Sequence, residues 1–169
     1  MDKKLKQKCE KIKIVLTDVD GVLTDGGMYY SNKGDVMKKF HTRDGMGVTL
    51  LRKNNIETMI ITKEKTEIVQ QWSKKMKIKK LYDGIKEKES MIEVICKRFR
   101  VNSSELAYIG DDVNDLKLLN NVGFSATPAD GIDEIKKKCD YICKMNGGKG
   151  AFREIADLII KSRNGNGKY

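Results

Sequence analysis

The stretch of residues 14–27, IVLTDVDGVLTDGG, constrains the fold of this chain more than any other feature. It opens with a run of apolar and β-branched residues, which is typical of a strand buried on both faces of a parallel sheet. Two carboxylates, Asp18 and Asp20, follow this run with one residue between them. Because an unpaired carboxylate is costly at the end of a buried strand, the pair predicts either a capped turn or a site of chemistry.

Strand-like and helix-like patterns alternate along the rest of the chain. The predicted strands span residues 13–17, 57–62, 78–82, 106–110, 122–126 and 141–143. The predicted helices span residues 45–54, 65–76, 87–99, 113–120, 132–138 and 150–162, and a hairpin is predicted at 26–41. Asp44 is expected to cap the first of these helices. The alternation favours an α/β fold, a Rossmann-like three-layer sandwich with a parallel sheet covered on both faces.

The length and the charge of the chain limit the number of domains and the kinds of partner that we expect. The 169 residues predict a single domain over 1–163 and a disordered tail at 164–169. The net charge of +10 invites a nucleic-acid partner, but the basic residues are dispersed without interleaved aromatic residues, so we expect none. No apolar run reaches membrane-spanning length, so no membrane partner is expected. The basic N-terminal run lacks the apolar centre of a signal peptide, which predicts a cytoplasmic location.

Polar residues collect where the predicted strands end, which is where open parallel sheets carry their chemistry. They are Asp18, Asp20, Thr62, Lys88, Asp111, Asp112 and Asp115. Taken singly, DVDG also fits a turn and GDDVND a capped helix start. Together the carboxylates would repel one another unless a cation lay between them, and carboxylate oxygens favour magnesium. The set therefore predicts a magnesium-dependent site.

DVDGVLTD, IIT, Lys88 and GDDVND resemble the four motifs of the haloacid dehalogenase superfamily of phosphotransferases, over about residues 12–160. The resemblance implies that Asp18 is the nucleophile, that Asp20 is the general acid and base, and that both hold Mg²⁺ together with Asp111. It further implies that phosphate is bound by Thr62, Lys88 and Asn114. The resemblance gives Asp112 and Asp115 a supporting role. A carboxylate nucleophile divides ester hydrolysis into two easier steps, and a second carboxyl group can protonate the leaving oxygen.

The intervals between these motifs are too short for a cap domain, and a hairpin stands in its place. TDGG, FHTRDGMG, YIGDDVNDL and GGKGAFREI resemble the capless phosphatases of 3-deoxy-2-keto sugar acids. This family includes 3-deoxy-manno-octulosonate 8-phosphate phosphatases of lipopolysaccharide biosynthesis and nonulosonate 9-phosphate phosphatases of sialic acid biosynthesis. The resemblance implies a homotetramer whose glycine-rich C-terminal segment reaches a neighbouring site. The substrate residues it implies are Thr42, Arg43, Glu64, Lys75 and Arg153.

The choice of sugar stays open at this point. Glu64 and Lys75 resemble the nine-carbon enzymes, whereas Arg43 belongs to a segment that resembles the eight-carbon ones. Lys63 stands where the family usually has glycine, and Arg153 equally fits an ion pair on its own helix. The alternatives are a phosphatase of another small phosphate ester and a non-catalytic oligomerisation module, as found fused to CMP-sialic acid synthetases. The intact motifs favour a phosphoric monoester hydrolase.

Overall fold

The computed structural model describes residues 2–164 and contains a six-stranded parallel sheet between two layers of helices. The strands of this sheet are β1 (Ile14–Thr17), β4 (Glu57–Ile61), β5 (Lys80–Tyr82), β6 (Leu106–Ile109), β7 (Phe124–Thr127) and β8 (Tyr141–Ile142). Their spatial order is β5-β4-β1-β6-β7-β8, and β2 (Tyr29–Ser31) and β3 (Gly34–Met37) form a separate hairpin. The predicted α/β class is confirmed.

The helices are α1 (Lys3–Glu10), α2 (Thr42–Lys53), α3 (Glu67–Met76), α4 (Met91–Phe99), α5 (Leu116–Leu119), α6 (Asp133–Lys136) and α7 (Ala151–Asn164). Since α7 reaches Asn164, it includes the first residue of the predicted tail, and the rest of that tail lies outside the described residues. None of the helices within residues 2–164 has the length and apolar character that crossing a bilayer requires.

The central strands are buried on both faces, which explains why they appear in the sequence as apolar runs. Val15 of β1 packs with one core cluster and Leu16 with the other, because successive side chains point to opposite faces. The first cluster lies under α1, α2, α3 and α7, where Phe152 is fully buried. The second lies under α4, α5 and α6, with Ile95 of α4 fully buried. The two helical layers thus cover both faces of the sheet and leave open the carboxyl ends of its strands, where the polar residues lie.

The start of α2 differs from the prediction. His41, not Asp44, is the N-cap residue, and its Nδ1 accepts a hydrogen bond of 3.2 Å from the amide of Arg43. Asp44 lies within the helix and is fully buried, and its Oδ1 accepts a hydrogen bond of 2.9 Å from the amide of Arg153. The predicted cap was therefore wrong: the aspartate satisfies the first turn of α7, which packs across α2, rather than that of its own helix.

Two predicted helices begin with tighter turns. The helix predicted at 87–99 starts with a 3-10 turn at Lys88–Ser90, and the one predicted at 113–120 starts with a 3-10 turn at Val113–Asp115. Short 3-10 turns are common at the beginnings of α-helices. Both turns follow polar loops at the sheet edge, so they place Lys88 and Asp115 beside the end of β1.

Candidate active site

A cavity of about 260 Å³ opens at the carboxyl ends of β1, β4 and β6. It is lined by Asp18, Asp20, Gly21, Gly26, Thr62, Lys63, Glu64, Asp111, Asp112 and Asn114. The sequence predicted six of these as catalytic, metal-binding, phosphate-binding or supporting residues, and Glu64 as a substrate residue. The structure therefore brings the predicted motif residues of separate strands to one cavity.

A buried ammonium group organises the floor of this site. Lys88 is 1% exposed, and its Nζ lies 2.6 Å from Oδ2 of Asp18 and 2.7 Å from Oδ1 of Asp115. Burial by itself lowers the pKa of Lys88, but the two carboxylates outweigh burial and raise it. The lysine is therefore a fixed positive charge, which is what an incoming phosphate requires.

Both carboxylate oxygens of Asp115 are fully used as hydrogen-bond acceptors. Its Oδ1 accepts from Lys88 Nζ and from the hydroxyl of Tyr108, at 2.7 and 2.5 Å. Its Oδ2 accepts from the amides of Asp111 and Asp112, at 2.9 and 3.4 Å. Because both oxygens already accept two donors each, Asp115 positions Lys88 and the loop rather than holding a metal ion.

Tyr108 is a residue of this network that the sequence reasoning missed. It lies within the apolar strand β6, is fully buried, and so resembles an ordinary core residue. Burial and the adjacent charge of Asp115 raise its pKa, so its hydroxyl stays protonated and donates. The signal that could have found it is general: a buried tyrosine hydroxyl needs a partner, and Asp115 follows seven residues later.

The carboxylates of Asp18 and Asp111 fit a divalent cation. Together with Asp115 they have carboxylate oxygens within 4.8 Å of one another. Burial and then the neighbouring carboxylates raise the pKa of Asp18 and raise that of Asp111 to about 8. Crowded buried carboxylates of this kind lose their repulsion when a cation such as Mg²⁺ lies between them.

Glycine at position 21 makes room for this group. Gly21 has φ of +81°, and a Cβ built there would lie 1.9 Å from Oδ2 of Asp111. Only a residue without a side chain lets the loop after β1 approach Asp111 so closely. The DVDG pattern therefore needs its glycine for a steric reason that involves the fourth motif.

Asp18 and Asp20 have different environments although they are neighbours in the loop. Asp18 is 6% exposed, and its Oδ1 accepts a hydrogen bond of 2.7 Å from the amide of Val19. Asp20 is more open, and its Oδ1 accepts from Lys38 Nζ at 2.7 Å and from Thr24 Oγ1 at 3.3 Å. Lys38 was not among the residues singled out in the sequence. The two carboxylates are thus held by different lysines from different parts of the chain.

Thr62 and Asn114 complete the wall of the cavity. Thr62 directly follows β4 and is 2% exposed; its amide donates to the carbonyl of Tyr82, and its carbonyl accepts from the amide of Ile85. These bonds fix the backbone beside the cavity. Asn114 lies in the 3-10 turn after β6 on the other side of the cavity. Both positions suit hydrogen bonds to phosphate oxygens.

The five predicted substrate residues do not share one cavity within this chain. Glu64 lines the catalytic cavity, whereas Thr42 and Lys75 line a second cavity of about 470 Å³ between α2 and α3. Arg43 and Arg153 line a third cavity, of about 560 Å³, beside α7. Only Glu64 can therefore meet a substrate beside Asp18 without the help of another chain or a conformational change.

Arg153 also makes the ion pair that its sequence position allowed. Its Nε donates to Oδ1 of Asp157 at 2.8 Å, one helical turn further along α7. Both side chains are about three-quarters buried, at 24% and 23% exposure. Within one chain, the pairing on the helix accounts for this arginine.

The glycine-rich segment before α7 contacts the catalytic loop of its own chain. The amide of Gly148 donates to the carbonyl of Val22 at 2.9 Å, and the amide of Gly147 donates to Oδ1 of Asp130 at 2.9 Å. A Cβ at Gly147 would lie 1.9 Å from the carbonyl oxygen of Gly21. The segment therefore supports the loop that carries Asp18 and Asp20, in addition to any contact with a neighbour.

Comparisons with known proteins agree with this geometry. Residues 47–155 match the haloacid dehalogenase-like hydrolase family. The chain is 38% identical over 159 residues to the 3-deoxy-D-manno-octulosonate 8-phosphate phosphatase of Haemophilus influenzae, covering 94% of this chain and 88% of that protein. The corresponding phosphatase of Escherichia coli K12 is 35% identical over 153 residues, covering 90% of this chain and 81% of that protein.

Solved structures are similar over nearly the whole chain. The cobalt-bound phosphatase of Haemophilus influenzae superposes with a TM-score of 0.91 at 38% identity, covering 93% of this chain and 92% of that one. The phosphatase of Moraxella catarrhalis, in complex with magnesium ion, phosphate ion and KDO, superposes with a TM-score of 0.93 at 34% identity. That superposition covers 97% of this chain and 94% of the other.

Proposed function

The chain belongs to the haloacid dehalogenase-like hydrolase family, and on this premise we propose that it hydrolyses 3-deoxy-D-manno-octulosonate 8-phosphate with Mg²⁺. It is a phosphoric monoester hydrolase, which sets aside the non-catalytic alternative. The observation that carries the proposal is the buried lysine between Asp18 and Asp115, beside the carboxylate of Asp111. The relatives named for this sugar phosphate support the choice of substrate.

The reaction proceeds in two displacements. An oxygen of Asp18 attacks the phosphorus and forms a P–O bond while the bond from phosphorus to the sugar oxygen breaks. Asp20 gives its proton to that leaving oxygen, so the sugar acid departs as an alcohol. Water then attacks the phosphorus of the aspartyl phosphate and gives a proton to Asp20, so a new P–O bond forms while the bond from phosphorus to Asp18 breaks. Phosphate leaves, and Asp18 is restored as a carboxylate.

Charge on the phosphate is met by groups already in place. Lys88 supplies a buried positive charge, and Thr62 and Asn114 offer donors to the phosphate oxygens. The carboxylates of Asp18 and Asp111 and the backbone carbonyl of Asp20 would hold Mg²⁺, which would supply positive charge that offsets the repulsion between phosphate and nucleophile. Asp112 and Asp115 support the loop.

Self-association is part of the proposal. The hairpin β2–β3 projects apolar side chains into solvent, with Met28 69% exposed, Tyr30 64%, Val36 58% and Met37 52%. Exposed apolar patches of this kind are typical of protein–protein interfaces. We propose a homotetramer in which hairpins pack against neighbouring subunits, and this assembly would also bring substrate residues from separate cavities near one site. A cytoplasmic location stays a prediction.

The direct test measures phosphate release with Mg²⁺ from octulosonate 8-phosphate and from a nonulosonate 9-phosphate. We expect kcat/KM for the eight-carbon ester to be at least tenfold higher, about 1.4 kcal/mol in transition-state binding. Asp18→Asn is the matched control, since it keeps the shape of the side chain and removes the nucleophile. A preference for the nine-carbon ester would instead indicate that Glu64, which resembles the nine-carbon enzymes, determines the substrate specificity. No release above Asp18→Asn from either ester would contradict the proposed substrate class.

A further inference from the structure

The carboxyl group proposed to move the proton is held by a lysine from the hairpin. Lys38 directly follows β3, and its Nζ lies 2.7 Å from Oδ1 of Asp20 and 3.5 Å from Oδ2 of Asp35. Its side chain is only 4% exposed. None of the four motifs contains this residue, and it lies in the predicted hairpin 26–41, to which the sequence assigned no part in the chemistry.

The burial of Lys38 requires a reason. A lysine side chain is seldom removed from water unless its ammonium group is paired. The next residue shows the ordinary arrangement, because Lys39 is 57% exposed and pairs with Asp25 at 3.3 Å on the surface. Two adjacent lysines on one hairpin thus pair with two aspartates of one loop, and only the buried one contacts the site.

The contacts with Asp20 distinguish its two oxygens. Lys38 Nζ and Thr24 Oγ1 both donate to Oδ1. Within residues 2–164 no donor is found on Oδ2. Two donors on Oδ1 fix this oxygen as an acceptor, and they thereby also set the direction of Oδ2.

We propose that Lys38 is a positioning residue for proton transfer: it fixes Oδ1 of Asp20 so that Oδ2 faces the leaving oxygen. The inference rests on the proposed function. When the P–O bond breaks, its electron pair stays on the sugar oxygen and the proton of Oδ2 moves there. The carboxylate left on Asp20 then remains paired with the ammonium of Lys38. The hairpin is thereby joined to the chemical step as well as to the subunit surface.

The test exploits the dependence of proton transfer on the leaving group. A sugar alkoxide needs protonation as it leaves, whereas p-nitrophenolate leaves readily without it. We expect Lys38→Met to lower kcat/KM for octulosonate 8-phosphate about 100-fold, which lies within the usual range for general acid catalysis. For p-nitrophenyl phosphate we expect kcat/KM to fall less than about fivefold. Lys38→Arg, which keeps a cation, should recover most of the loss on the sugar phosphate.

Lys39→Met is the matched control, since it removes the same charge from the same hairpin away from Asp20. It should leave both substrates within about twofold of the wild type, because surface pairs contribute little. Lys38→Gln serves in the same comparison where Lys38→Met fails to fold, because the amide keeps a donor without the charge. In an Asp20→Asn background, Lys38→Met should add little further loss, since the two residues act together.

Equal losses on both substrates would show a structural role and overturn the proposal. A rise in KM with kcat unchanged would assign Lys38 to substrate binding and would also overturn it. Additive losses in the Asp20→Asn background would do the same. Failure of the proposed function is distinct, because there the wild type itself would release no more phosphate than Asp18→Asn.

Discussion

The reaction centre and the hairpin satisfy their side chains in opposite ways. At the centre, Lys88, Asp18 and Asp115 are at most 6% exposed, and the two carboxylates meet the lysine at 2.6 and 2.7 Å. On the hairpin, Met28 and Tyr30 are more than 60% exposed. The centre is complete within one chain, whereas the hairpin presents the kind of surface that a second chain covers. One chain thus contains the groups for the chemistry, and in the proposed assembly neighbouring subunits would enclose the substrate.

Removing the buried cation of the reaction centre should have the largest effect on activity and on stability. Lys88→Met leaves Asp18 and Asp115 as buried charges without their partner. We expect activity to fall at least about 1000-fold and the free energy of unfolding to fall by about 3–5 kcal/mol, as for other broken buried pairs. Phosphate-release kinetics and urea unfolding would measure the two effects.

Lys117→Met is the control for that change, since Lys117 pairs with Glu89 while 78% exposed. Its loss should leave the free energy of unfolding nearly unchanged, because exposed ion pairs are screened by solvent. A Lys88→Met protein with wild-type stability would show that the buried network is not needed for folding.

Asp44 is a buried carboxylate outside the reaction centre, and it gives the second test of the comparison. Burial raises the pKa of Asp44 to about 6, against an ordinary value of 3.8, and the hydrogen bond from the amide of Arg153 only partly offsets it. The folded state therefore binds more protons between these pH values, and the free energy of unfolding falls as pH rises from about 4 to about 6. The total change is on the order of 3 kcal/mol.

Asp44→Asn should remove this contribution, so the difference in unfolding free energy between variant and wild type should change with pH over that interval and be constant above it. Urea unfolding at several pH values measures it. Taking the difference cancels titration elsewhere in the chain. A difference that is independent of pH would mean that Asp44 titrates normally.

Changes on the hairpin should separate assembly from chemistry. Tyr30→Ser combined with Val36→Ser removes exposed apolar area while leaving the centre untouched. We expect dissociation into smaller species by sedimentation and about a tenfold lower kcat/KM for the sugar phosphate, with p-nitrophenyl phosphate turnover nearly unchanged. Val94→Ser on α4, also at an exposed position, should change neither property. An unchanged sedimentation coefficient would remove the hairpin from the interface.

Tyr108→Phe is the smallest change and tests one hydrogen bond of the centre. Asp115 would keep Lys88 on Oδ1 and both amides on Oδ2. We expect a loss of about 1 kcal/mol in stability and a fall of less than about tenfold in kcat, the usual scale for one hydrogen bond. Thermal unfolding and steady-state kinetics would detect both. A loss as large as that of Lys88→Met would make Tyr108 an equal partner in the network.

Much of the fold and the core of the site could be predicted from the sequence. The strand 14–17 is apolar because both of its faces are buried, and Asp18 follows because the strand ends at the sheet edge. Thr62 and Asp111 follow their own strands for the same reason. Since carboxyl ends of parallel strands meet at one edge, order along the chain was enough to bring these residues together.

Other features were decided only by tertiary contacts. Asp44 has the sequence signature of a helix cap, yet it accepts its bond from Arg153, which lies 109 residues further along the chain. Lys38 carries no local signal, because its partner Asp20 comes from another loop, and Tyr108 carries only the general need of a buried hydroxyl for an acceptor. The predicted substrate residues lie in separate cavities for a related reason: a motif records identity and spacing, not which faces of neighbouring helices meet. Local pattern thus determined the sheet and its catalytic edge, and packing between distant segments determined which polar groups hold that edge in place.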